Sequence, residues 1–294
     1  MDMRALLMGL AFAVMWASAF TAARIIVTEA PPLLALALRF SLSGVVGVAI
    51  ALLAGQSWRL SRAQWGGVII FGFMQNAVYL GLNFTAMQWV GASVAAIIGS
   101  AMPLLVAVAG WLFMQDRLRP LAVMGLLGGF GGVLMIMLAR LQGGVDPVGL
   151  VLCLIAVLAL TIATLAARRL GSTSSDNILM VVGIQMLVGA VAVGIPGLAT
   201  ETWDVTWSWR LAGAFLFASL LSGLLATWVW FRLVARVGAV KASVFHFLNP
   251  FVGVLVAWAL LDEGMGMWDV IGVIVIAGGI LAVQLSRESA PRAA

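Results

Sequence analysis

Ten apolar stretches, each close to the length of a bilayer-crossing helix, take up nearly the whole chain: residues 5–27, 33–54, 64–87, 92–114, 120–139, 148–168, 177–197, 211–233, 240–261 and 268–286. About 20 mostly apolar residues cross the hydrocarbon core as a helix. A helix or a closed barrel is the only structure that satisfies its own backbone polar groups there. The chain therefore reads as an all-α polytopic membrane protein. Composition supports this: 64% of the 294 residues are hydrophobic and 9% are charged, against roughly a quarter charged in soluble domains. An ordinary cytosolic enzyme and a disordered chain are excluded. The net charge of +5 and pI near 10.9 do not imply nucleic acid, because the basic residues stand singly between apolar runs. The first run is expected to remain as a span and not be cleaved as a signal peptide. It is too long, lacks a small-x-small exit and leads straight into a second span. One cysteine, Cys153, and one histidine, His246, exclude an internal disulfide framework and disfavour metal sites built on these residues. No cofactor is expected.

Basic residues in the loops set the orientation. With the N-terminus in the cytoplasm, twelve of the 16 basic residues, from Arg4 and Arg59 to Arg287 and Arg292, fall on the cytoplasmic side. Three, Arg24, Arg140 and Arg210, fall outside, and Arg39 lies within a span. Ten helices with both termini in the cytoplasm preserve this asymmetry. The longest linker, 198–210, carries Glu201, Trp203, Asp204, Trp207 and Trp209, and is expected to lie along the membrane surface. Trp58, Trp65, Trp89 and Trp268 also stand at run ends, where tryptophan favours the interface.

A shift of 147 residues lays 90–134 on 237–281 without a gap. It aligns Val90-Gly91-Ala92 with Val237-Gly238-Ala239, Pro103 with Pro250, Trp111 with Trp258, Asp116 with Glu263, and Gly131-Gly132 with Gly278-Gly279. The chain thus divides into two five-helix repeats, 4–140 and 147–286. Five is odd, so the second repeat enters the membrane from the opposite side, an arrangement characteristic of secondary transporters.

This plan resembles the drug/metabolite transporter superfamily, specifically its EamA-type members. The residues that carry the resemblance are Trp16-Ala17-Ser18-Ala19-Phe20, Leu36-Ala37-Leu38-Arg39-Phe40, and the run from Gly91-Ala92-Ser93 through Pro103 to Asp116-Arg117, with its counterpart ending at Asp262-Glu263. Within the superfamily the chain is similar to YddG-like bacterial amino-acid exporters. The resemblance implies a multi-pass inner-membrane exporter of aromatic amino acids and similar metabolites. A multidrug or other metabolite facilitator of the same superfamily is the alternative.

Pro103 and Pro250 are expected in the middle of the fourth and ninth helices, where each frees a carbonyl, that of Gly99 or His246. They read as paired hinges or as packing kinks. On the hinge reading, alanine would stiffen the helix by about 3 kcal/mol. His246 and Asn249 share a helix face with Pro250. His246 is either a substrate or proton ligand or a neutral histidine bonded to a neighbouring helix. In the third run Gln75, Asn76, Tyr79 and Asn83 form a polar stripe. Polar side chains facing lipid are costly, so the stripe must face protein or water. The repeat offset sets Trp230 opposite Asn83, with Trp228 nearby, and both are expected as aromatic walls of a cavity. Trp16 and Ser18 break the aliphatic run of the first helix and read as substrate contacts or as packing. Arg39 could attract a carboxylate or phosphate, snorkel outward, or bond carbonyls. A structural role is expected for it, because the resemblance puts the second helix toward the periphery. The Gly-rich fifth and tenth helices read as packing surfaces.

No phosphate-binding loop exists to hydrolyse a nucleotide, and no Asp or Glu stands mid-span. A facilitator driven by a solute gradient or the membrane potential fits better than a carboxylate-based proton antiporter. A membrane-embedded enzyme lacks its usual mid-span carboxylates. A purely structural protein has no use for the repeat. The expected partners are a small-molecule solute and the bilayer, and a functional monomer is compatible with the sequence.

Overall fold

Helices meet every stretch marked in the sequence, and their ends follow from local chemistry. The computed structural model describes residues 3–114, 119–142, 144–169, 177–237, 242, 245 and 248–288. The helices are α1 (Met3–Glu29), α2 (Pro32–Leu53), α3 (Arg62–Ala86), α4 (Ala92–Phe113), α5 (Pro120–Gln142), α6 (Pro147–Arg169), α7 (Ile178–Thr200), α8 (Trp209–Val234), α9 (Asn249–Leu261) and α10 (Met267–Glu288). The first eight are long and apolar enough to cross a membrane, while α9 and the apolar part of α10, Met267–Val283, are shorter. The stretch expected at 240–261 is therefore described as regular helix only from Asn249. His246, Lys241 and Asp116 lie outside the described residues.

Proline opens α2, α5 and α6, where its missing N–H has no helical partner to lose. Ser61 and Gln64 close a capping box at the start of α3. Ser208 accepts from the Leu211 N–H at the start of α8. Other caps come from far along the chain. The Glu201 carboxylate, just after α7, accepts from the Leu33 and Leu34 N–H groups of α2, both at 2.9 Å. Gln56, just after α2, accepts from the Met180 N–H of α7 at 2.9 Å. The two helices are capped reciprocally and lie against each other along their length.

The packing follows one rule. Besides the pairs α2–α7 and α5–α10, α1 packs on α8 and α9, and α6 packs on α3 and α4. Likewise α2 packs on α8, and α7 on α3. Exchanging each helix of the first five for its counterpart in the second five leaves this pattern unchanged. Close approach rests on glycine: a Cβ on Gly279 would stand 2.5 Å from the Gly125 carbonyl oxygen, so α5 and α10 touch backbone to backbone. Trp111 and Trp258, paired by the 147-residue offset, are similarly exposed, at 52% and 51%.

Two local features depart from the sequence expectation. First, Pro103 does not kink a continuous helix. α4 breaks into Ala92–Gly99 and Met102–Met114, with a turn at Ser100–Ala101. Pro103 sits on the first turn of the second piece, and Pro250 sits on the first turn of α9. A first-turn proline is tolerated, so the gain of about 3 kcal/mol expected for an interior Pro→Ala change does not apply at either position. Second, α3 and α8 each contain a π-helical segment, Gly72–Leu80 and Phe217–Leu225. Such segments are frequent at functional sites. Side chains from neighbouring helices meet these wide turns. Arg39 Nε donates to the Ala218 carbonyl at 2.9 Å and Ser43 Oγ to the Ser219 carbonyl at 2.8 Å. From the π segment of α3, Asn76 Nδ2 donates to the Gln185 carbonyl at 2.9 Å.

Candidate functional site

Where α1, α3, α4, α6, α8 and α9 converge, the chain encloses a cavity of about 110 Å³. Its wall is largely aromatic, with Phe12, Trp16 and Phe20 from α1, Phe71 from α3, and Trp230 and Phe231 from α8. Phe12 ties the wall together, with ring centroids 5.5 Å from Trp16 and 4.7 Å from Trp230. The polar rim comprises Gln75 and Tyr79 of α3, Ser100 at the break in α4, Thr164 of α6, Thr227 of α8 and Asn249 of α9. Gly99 and Pro103 also line it. A Cβ on Gly99 would lie 3.1 Å from Phe20 Cζ and 3.3 Å from Tyr79 Oη, so the missing side chain leaves room in the cavity.

A second, smaller cavity of about 40 Å³ adjoins it, sharing Trp16, Phe20, Gln75, Tyr79 and Thr227. Asn76, Asn83, Ser222 and Arg39 line this one. The α3 stripe thus spans both spaces. The π segment, with its i→i+5 hydrogen bonds, widens the turn and brings Gln75 and Tyr79 to both.

Three expected site residues fall elsewhere. Ser18 lines neither cavity. It lies two residues from Trp16 in an unbroken helix, about 200° around the axis, and points away. Trp228 stands in the same relation to Trp230. It lies beneath Arg232, whose guanidinium carbon is 5.2 Å from the ring centroid. Of the two tryptophans, Trp230 lines the cavity and Trp228 does not. Pro250 is buried beside Asn249 without lining either space. His246 lies outside the described residues.

Arg39 is not peripheral as expected, and its carbonyl partner fits the structural role expected of it. It is buried, at 5% exposure, because α2 packs between α7 and α8. Its guanidinium lies 5.3 Å from the Phe40 ring centroid and 5.9 Å from that of Phe84. A carbonyl partner was among the sequence expectations, and Ala218 supplies it.

The sequence reading also missed the contact that closes the end where α3 leads into α4. Glu263, just beyond α9, accepts from the Ala92 N–H at 2.7 Å, the Ser93 N–H at 3.0 Å and the Ser93 Oγ–H at 2.5 Å. A carboxylate thus caps the N-terminus of α4 from the other half of the chain, a favourable charge–dipole arrangement. Gly91 permits the approach, since a Cβ there would stand 2.7 Å from Glu263 Oε2. At the same end Arg24 donates to the Met87 carbonyl and Ser208 to the Glu29 carboxylate. The sequence signal was the pairing of Asp116 with Glu263, each near the end of an apolar run that Val-Gly-Ala precedes. Among the described residues no group of His, Cys, Asp and Glu side chains is arranged to hold a metal ion.

Comparison with known proteins places this architecture. The model of the EamA-like transporter family matches twice, over residues 3–138 and 147–285. The chain belongs to the EamA-like transporter family. It is 26% identical over 282 residues to the uncharacterized transporter YvbV of Bacillus subtilis, covering 96% of this chain and 92% of that one. It is 27% identical over 257 residues to protein PecM of Dickeya dadantii, covering 86% and 83%. It is also 27% identical over 288 residues to the uncharacterized inner membrane transporter YedA of Escherichia coli K12, covering 95% and 90%. A solved crystal structure superposes with a TM-score of 0.70 at 21% identity, over 98% of this chain and 99% of that one. The protein is a multi-pass membrane transporter.

Proposed function

We propose that the chain crosses the inner membrane ten times, as two inverted five-helix repeats with both ends in the cytoplasm. On this reading it exports small amphipathic metabolites, aromatic and other bulky amino acids foremost, by alternating access between the repeats. The observation that carries the reading is the aromatic cavity, lined by α1, α3 and α4 from the first five helices and by α6, α8 and α9 from the second. Relative motion of the two halves would deform it. The exchange-symmetric helix packing and the bias of basic residues toward one side support the inverted topology. No carboxylate lines the cavity among the described residues, which favours facilitated transport over carboxylate-coupled proton antiport.

Solute counterflow in proteoliposomes tests the proposal. Vesicles loaded with unlabelled phenylalanine should accumulate labelled phenylalanine. Tryptophan, leucine and methionine should compete. Glycine and alanine should compete about tenfold less well, because aromatic pairing adds about 0.5–1.5 kcal/mol to simple area burial. Counterflow as strong with glycine as with phenylalanine, or none with any of these solutes, would contradict the reading.

A further inference from the structure

Among the described residues lining the two cavities, Arg39 is the one charged side chain. Its burial is costly. An ionised group taken out of water needs a counter-charge or a full set of hydrogen bonds. Arg39 has one bond, from Nε to the Ala218 carbonyl, and two aromatic faces. Among the described residues no carboxylate pairs with it. A guanidinium carries five N–H donors in a planar fork, so its Nη groups retain donor capacity beside the second cavity. That cavity, at about 40 Å³, holds three or four waters on the basis of roughly 10–15 Å³ each, or one carboxylate group. Asn76, Asn83 and Ser222 surround it with further hydrogen-bonding groups. The adjoining larger cavity offers a mainly apolar, aromatic wall. The composite space has a cationic, polar end and an aromatic end, joined through Trp16, Phe20 and Tyr79.

We propose that Arg39 anchors the carboxylate of the transported solute in the smaller cavity, while the solute's apolar body fills the larger one. The preferred substrates are then monocarboxylates with one bulky apolar body and no ammonium group. The selectivity follows from charge balance. A monocarboxylate neutralises Arg39. A zwitterionic amino acid adds an ammonium that finds no carboxylate among the described lining residues. This inference rests on the transport site of the reading above and replaces amino acids with monocarboxylates as its preferred solutes.

The test compares isosteres on the unaltered protein. Purified transporter in detergent is titrated calorimetrically with 3-phenylpropionate, with its neutral analogue 3-phenylpropanamide, and with phenylalanine. Binding of 3-phenylpropionate should be about tenfold or more tighter than that of the amide, the worth of a charge-assisted hydrogen bond to a buried guanidinium. Phenylalanine should fall between them or equal the amide. Arg39→Gln should abolish the difference by weakening 3-phenylpropionate about tenfold more than the amide. Elution of the variant as a single species at the parental position reports that it is folded. Arg39→Lys should retain part of the preference. Equal binding of acid and amide by the parent protein overturns the proposal whatever the variants do, and leaves the aromatic cavity standing as the transport site. Absence of binding by all three compounds overturns both.

Discussion

Replacing Gly99 with valine should reduce counterflow of phenylalanine about tenfold or more, while the protein still inserts, purifies and elutes as a single species. Gly99 ends the first piece of α4 and lines the aromatic cavity. A Cβ there already approaches Phe20 and Tyr79 at 3.1 and 3.3 Å, and the two further carbons of valine have to extend into the cavity. The fold should tolerate this. The neighbours that must give way, Phe20 Cζ and Tyr79 Oη, are the far ends of side chains that border the cavity, and glycine is a poor helix former, by about 1 kcal/mol relative to alanine. Loss of 1.4 kcal/mol of solute binding corresponds to a factor of about ten. Gly99→Ala should give an intermediate flux, because its contacts require shifts of only a few tenths of an ångström. Undiminished flux in Gly99→Val would move the transport path away from this cavity.

The second large effect is expected at Glu263. Its carboxylate receives three hydrogen bonds from Ala92 and Ser93 and joins the end of α9 to the start of α4. A hydrogen bond to a charged group is worth about 1.5–3 kcal/mol. Partial solvent access lowers the net value of the set to about 2 kcal/mol, or roughly a 30-fold shift between two states. Glu263→Ala should therefore favour the state in which this end is open. Gly91→Ala should act in the same direction by displacing the carboxylate, without removing it. The measurement is the alkylation rate of Val94→Cys in a Cys153→Ala background. Val94 is buried beside Glu263 in a hollow of about 320 Å³. The background change removes the one native thiol. Alkylation should accelerate about 30-fold in Glu263→Ala and by less in Glu263→Gln, which keeps the shape and loses the charge. Unchanged rates in all three variants would reduce Glu263 to a helix cap with no part in gating.

Much of this was readable in the residues, and the failures have physical causes. Helix positions follow from the length of apolar runs, because lipid imposes intrahelical hydrogen bonding on any span. The polar stripe of α3 was legible for a related reason: Gln75, Asn76, Tyr79 and Asn83 had nowhere to go but inward. The placement of Trp16, Gly99, Trp230 and Asn249 around one space depends on which helices meet, and periodicity indicated their faces only in part. Trp228 and Ser18 fail on elementary geometry, each being two residues from a cavity-lining neighbour. Arg39 was misplaced because an isolated run does not reveal whether a helix is peripheral or flanked by two others. The π segments left no trace in the hydrophobic pattern, since widening a turn by one residue hardly alters an almost uniformly apolar stretch. The prolines were recognised as a pair. A paired proline, however, marks a helix start as readily as a kink, and the break after Gly99 decides between the two.

If the two halves alternate around the aromatic cavity, the ends of the helices that frame it must move apart and together. The most direct test is the distance across the end held by Glu263. Spin labels at Gln88 and Met265, both exposed, in the Cys153→Ala background report it by pulsed dipolar spectroscopy in lipid nanodiscs. Alternation should give two distance populations, with saturating transported solute shifting their ratio and Glu263→Ala enriching the longer one. A single distance, unmoved by solute and by Glu263→Ala in protein that still carries out counterflow at the parental rate, would contradict it.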